Sequence, residues 1–140
     1  MKTTRLFNLL LIATLMTGLF SCSSIPKGAN PVSPFEKEHY LGLWYEIARK
    51  DFKFERNLNN TTAEYSLNED GSIKVVNRGY NVLALDVDYR YALIAGKNLD
   101  LLWILSRETT IPVDIKDKYL QIAKEIGYDT SDLIWVEHNN

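Results

Sequence analysis

The chain has 140 residues, 46% hydrophobic and 11% aromatic, with 16 lysines and arginines against 18 aspartates and glutamates, a formal net charge of −2. That length allows one domain with one modest core. The mildly acidic balance, without a basic patch or arginine-rich run, excludes nucleic acid as the expected partner.

Residues 1–21 read as a secretory leader. Lys2 and Arg5 make a short positive start, and Leu6 to Phe20 is apolar apart from Asn8 and small polar residues, too short for a comfortable membrane span. The leader ends Leu19-Phe20-Ser21-Cys22, which resembles the lipobox of bacterial lipoproteins. The resemblance implies cleavage before Cys22, attachment of diacylglycerol to its thiol and acylation of the new amino terminus. Cys22 is the single cysteine of the chain, so it has no disulfide partner, and lipidation would consume the lone thiol. Two or three acyl chains hold a protein stably on a bilayer. Ser23 after the cysteine implies, by the same resemblance, sorting to the outer membrane. Residues 22–34 carry Pro26, Pro31 and Pro34 with Gly28 and three serines, the composition of a lipidated, flexible and extended tether. The globular domain is then 35–140.

Within it, Leu41 to Arg49 is predicted to be the first strand. Gly42 lets the chain enter tightly and Trp44 fills the space behind it. Residues 50–60 are polar and irregular, with Phe52 and Phe54 as isolated aromatics. Thr61 to Leu67 alternates, with Ala63, Tyr65 and Leu67 on one face. The turn Asn68-Glu69-Asp70-Gly71 returns the chain into a strand from Ser72 to Arg78. After Gly79-Tyr80-Asn81 come three more strands, Val82 to Asp86, Tyr89 to Ala95 and Leu101 to Ser106. The period then changes: Ile115, Tyr119, Ile122 and Ile126 lie at helical spacing, with Pro112 at the start and Gly127 at the end. That helix is expected to pack outside the sheet on its narrow apolar stripe. Leu133 to Glu137 is a last short strand.

These residues resemble the lipocalin family. Gly42-Leu43-Trp44-Tyr45 matches its first-strand motif. The acid and tyrosine of Leu85-Asp86-Val87-Asp88-Tyr89-Arg90-Tyr91 resemble the second motif, and Leu102-Trp103-Ile104-Leu105-Ser106-Arg107 the third, whose arginine stacks on the first-strand tryptophan. The stretches 44–81 and 82–136 look like the bacterial lipocalins, outer-membrane lipoproteins with affinity for fatty acids and lysophospholipids. The resemblance implies an antiparallel up-and-down β-barrel, with Gly42, Trp44 and Arg107 as the structural floor. A guanidinium over an indole gains about 1 kcal/mol or more when partly dry.

The family barrel has eight strands. Here about six are legible, because two strands and a loop are missing between Asn81 and Val82. A single Gly79-Tyr80-Asn81 stands where the relatives carry such a triplet twice. Interior diameter grows with strand number, so the barrel is expected to be narrower and incompletely closed. Its open edges would then invite pairing with a second copy.

No enzyme site assembles. His39 and His138 lie at the two ends of the domain, and no serine sits in a Gly-x-Ser-x-Gly elbow. Asp86 and Asp88 fall in a tight turn, where capping of backbone N–H groups is the simple role. No metal-ligand spacing or phosphate loop is present, so no cofactor is expected. Tyr65, Tyr91, Leu93 and Trp103 are the candidate ligand-lining residues, suited to an acyl chain and a polar head. The expected function is an outer-membrane-anchored carrier of fatty acids or lysophospholipids. The rival is an envelope interaction lipoprotein whose shortened barrel holds no ligand.

Overall fold

The structure is a computed structural model that describes residues 25–51, 53, 55, 57–74 and 80–139. Its elements run in chain order: α1 (Lys37–Tyr40), β1 (Gly42–Arg49), β2 (Thr62–Leu67), β3 (Ile73–Lys74), β4 (Asn81–Leu85), β5 (Tyr91–Ala95), β6 (Leu102–Ser106), α2 (Val113–Ile126) and β7 (Ile134–Trp135). All pairings are antiparallel, in the order β3-β2-β1-β6-β5-β4, with β7 also paired to β1. β3 and β4 stand at opposite ends of this path, so the described sheet is a half-barrel. The expected strand from Ser72 to Arg78 is seen as Ile73–Lys74, and its remainder, like Gly79, lies outside the described residues.

Two bulges bend the sheet, one between Glu46 and Ala48 of β1 and one between Val82 and Ala84 of β4. Each puts two successive residues on one face. Ile47 and Ala48, like Leu83 and Ala84, lie together on the outer side, whereas Val82 and Leu85 lie on the inner side. Bulges of this kind add twist and curvature.

β5 and β6 are buried at every position. The reason is that both of their faces are covered. On the outer side Tyr91, Leu93, Ala95, Leu102 and Ile104 pack with Tyr119 and Ala123 of α2. On the inner side Ala92, Ile94, Trp103 and Leu105 join Trp44 and Tyr40. The α2 helix is pinned by the Tyr119 hydroxyl, which donates to the Tyr91 carbonyl at 2.9 Å. It ends where Gly127 turns left-handed at φ 109° and, with Tyr128, donates back to Ala123, a Schellman-type stop.

The segment expected to be a flexible tether is docked where it is described. Ile25 packs on the outer core, Ala29 is buried, and the Val32 N–H donates to the Val82 carbonyl at 2.8 Å. Nor is it extended throughout, since the Ala29 N–H donates to the Pro26 carbonyl at 3.0 Å and closes a turn; its few apolar side chains find the core, and its backbone covers part of the β4 edge.

Candidate functional site

The two ends of the half-barrel are built differently. At the closed end, Gly42 adopts φ +94°, and a Cβ there would lie 3.5 Å from Nη1 of Arg107. The positive φ calls for glycine, while the guanidinium lies at ordinary contact distance. Two residues on, Trp44 is fully buried and its indole N–H donates to the Tyr40 carbonyl at 2.8 Å. The Arg107 guanidinium carbon sits 3.9 Å from the Trp44 ring centroid. Its N–H groups donate to the carbonyls of Leu43, Leu41, His39 and Tyr89 at 2.7 to 3.3 Å. Tyr40 stands 4.8 Å from both Trp44 and Tyr65, and Phe35 stands 5.3 Å from Tyr40, measured between ring centroids. Asp86 accepts from the N–H groups of Asp88 and Arg90 and so shapes the adjoining turn.

Toward the other end the inner face opens into a cavity of about 180 Å³, lined among the described residues by Ala63, Tyr65, Tyr80, Ile94, Trp103 and Leu105 with Glu46 and Glu55. The structure thus brings Tyr65 and Trp103 together. It sends Tyr91 and Leu93 to the opposite face, under α2, which corrects the expectation of one shared lining. Register is the cause: Ile94 pairs with Trp103, while Leu93 pairs with Ile104, and directly opposed residues share a face. Tyr80 and Ile94 were not anticipated as lining residues. Ile94 could have been found by pairing the two strands about the Gly96-Lys97-Asn98 turn. Tyr80 belongs to the Gly79-Tyr80-Asn81 triplet, whose turn character assigns it to neither face.

Charged groups also enter this end. Arg49 is fully buried and its Nη1 donates to Oε1 of Glu46 at 2.5 Å. Its Nη2 donates to the carbonyls of Glu55 and of Leu58, the latter at 3.1 Å, so it ties the loop after β1 over the sheet. Strict alternation would put Arg49 on the face opposite Glu46; the β1 bulge brings both inside, with Arg49 opposite Trp103. Burial pushes the Glu46 carboxyl up to about 7, with Arg49 opposing and Glu55 adding to the rise. Glu55 in turn accepts from the Trp103 indole N–H at 3.1 Å. His138 bonds the Glu46 backbone carbonyl through Nε2 at 2.8 Å.

The family model of a lipocalin-like domain matches residues 35–81 and again 75–138. The chain is a lipocalin. The two matches overlap on 75–81, the stretch that holds the single Gly79-Tyr80-Asn81, as expected of a lipocalin lacking its central strands. The chain is 38% identical to outer membrane lipoprotein Blc of Escherichia coli, over 95% of this chain and 97% of that protein. That alignment is 172 positions long against a chain of 140 residues, so the relative carries a stretch that this chain lacks. It is 40% identical to outer membrane lipoprotein Blc of Citrobacter freundii, over 84% of this chain and 88% of that one. Among solved structures, insecticyanin of the tobacco hornworm Manduca sexta superposes with a TM-score of 0.65 at 18% identity, over 84% of this chain and 88% of that one. The cockroach allergen Per a 4 gives 0.63 at 19% identity, over 84% and 96%. Lipocalins of this kind are binding proteins, not enzymes.

Proposed function

We propose that this lipocalin is an outer-membrane lipoprotein of the bacterial envelope that holds a single-chain lipid, a fatty acid or lysophospholipid, against the inner face of its half-barrel. The carrying observation is the cavity of about 180 Å³ walled by Tyr65, Tyr80, Ile94, Trp103 and Leu105. Small-molecule sites are commonly about 300 to 1,000 Å³, so this one encloses part of an acyl chain and leaves the remainder on the open side. The anchor is Cys22, acylated at the lipobox; it lies outside the described residues. The names of the Blc relatives support that location.

Titration of full-length chain carrying Cys22→Ser with a fluorescent polyene fatty acid tests the cavity. Saturable binding that is lost in Ile94→Trp, which fills the space beside Trp103, is the expected result. Binding that ignores the substitution would place the lipid elsewhere. For the anchor, wild type should take up radioactive palmitate and Cys22→Ser should not; a labelled variant would refute it.

A second reading is favoured by the open geometry. β3 and β4 do not meet among the described residues, and Leu67 beside that edge is 41% exposed. An unpaired edge is a template for another strand, so a homodimer joined there would serve as an envelope interaction module. Sedimentation of the Cys22→Ser chain separates the readings: a dimer that binds no lipid would favour this one.

A further inference from the structure

The segment that precedes the first strand is held down at several points. Ile25 packs on the outer core, Pro26 and Ala29 are buried, and the Ala29 N–H donates to the Pro26 carbonyl at 3.0 Å. Farther on, the Val32 N–H donates to the Val82 carbonyl at 2.8 Å, at the edge of β4. The Phe35 ring then stands 5.3 Å from Tyr40 and 6.4 Å from Tyr89, and the Glu36 N–H donates to the Tyr89 hydroxyl at 2.8 Å. The outer core that receives Ile25 also takes Tyr119 and Ala123 of α2, with Ile115, Ile122 and Ile126 packed against it. The described attachment nearest the amino terminus is thus Ile25, on the flank formed by α2 and the β4 edge.

That attachment shortens the reach of an anchor at Cys22. With residues 23–34 as a free, proline-stiffened tether, the domain could stand about 37 Å from its lipid. Only three residues separate Cys22 from Ile25, and that length of chain spans at most about 10 Å in any conformation. An acylated thiol is therefore confined to the neighbourhood of one flank. The exposed charges there are balanced, Asp114, Asp117 and Glu125 of α2 against Lys118 and Lys124 of α2 and Lys27 of the segment. An anionic bilayer surface meets no net repulsion from them.

We infer that the docked segment 25–34 is a strap that holds the α2–β4 flank against the bilayer, so that the domain lies on the membrane on that side and points its β2–β3 turn away. The strap is ordered as part of the fold, so no further ordering is needed to keep that flank down. This rests on Cys22 being the acylated anchor, and it holds whether or not the cavity takes lipid. Any lipid in the cavity is then exchanged with the bilayer on which the protein stands.

The test uses the full, acylated chain reconstituted into vesicles of phosphatidylethanolamine and phosphatidylglycerol. Acylation consumes the Cys22 thiol, so a fluorophore can be attached at one new position, Lys118→Cys on α2 or Glu69→Cys in the β2–β3 turn, both exposed sites. A lipid with a nitroxide headgroup should quench the Lys118→Cys label severalfold more than the Glu69→Cys label. A Gly-Ser spacer of about ten residues between Ser24 and Ile25 adds about 17 Å of reach. It should abolish the difference and leave the denaturant midpoint unchanged. Ala29→Lys, which drives a charge into the buried contact, should abolish it as well. Equal quenching at the two positions, or a difference indifferent to the spacer, overturns the inference with the anchor intact. Wild type that neither takes up palmitate nor floats with the vesicles overturns the anchor itself.

Discussion

The closed and open ends of the half-barrel use the same ingredients, an arginine, a tryptophan and nearby backbone carbonyls, to opposite effect. At the closed end Arg107 lies over Trp44 and donates to four carbonyls, with no carboxylate facing it among its hydrogen-bond partners. At the open end Arg49 is fully buried, is committed to Glu46, and leaves Glu55 to the indole of Trp103. The first is a plug in which a half-buried cation is satisfied by dipoles and a ring. The second places titratable charge in the interior beside empty space. A shared residue vocabulary thus yields a structural floor in one place and a small, partly polar cavity in the other.

The contrast can be tested by substitution. Trp44→Ala removes the largest fully buried side chain of the floor and should cost about 3 to 5 kcal/mol, read as a lowered denaturant midpoint. An equal midpoint would mean that the floor does not carry the fold.

Arg49→Met leaves Glu46 buried without its partner and should cost about 3 kcal/mol or more, whereas the double change Glu46→Leu with Arg49→Met should be far milder. Equilibrium unfolding of the two variants separates them. If the double variant is as damaged as the single one, the pair acts through the loop it ties and not through its charge.

The pH dependence comes next. The Glu46 carboxyl is raised from 4.5 to about 7, so the folded state holds a proton that the unfolded state has released. Its contribution is fully present below about pH 4.5 and is lost as pH rises toward 7, about 1 to 3 kcal/mol over that window. Urea midpoints measured across it should fall with rising pH, and Glu46→Gln should flatten the slope.

The smallest effect expected is at Gly42. Gly42→Ala forces a side chain onto φ +94°, at about 1 to 2 kcal/mol. It should leave ligand affinity unchanged, since Gly42 lies on the floor.

Much of this was legible in the residues. The pattern Gly42, Trp44 and Arg107 needs only local spacing plus a stacking partner, and the structure places all three at one end. The strands after Asn81 are strongly apolar and bounded by clear turns, so their existence and order could be read directly. The helix was legible because Ile115, Tyr119, Ile122 and Ile126 carry a period that no strand shares. The lining was half legible. Tyr91 and Leu93 are apolar on strands apolar at every position, and where both faces are buried, alternation gives no sign of which face is which. The docking of residues 25–34 was hidden for a different reason: proline-rich composition describes stiffness, not whether a few apolar side chains find a core.

From the sequence alone came the family, the order of the strands, the leader with Cys22 as the expected anchor, and the absence of the central strands, because each depends on short motifs and their succession. Only the tertiary structure decided what the interior is like. A single extra residue in β1 turns Arg49 inward beside Glu46, and that one bulge, a matter of backbone pairing with β6, gives a carboxyl already facing the interior its cation.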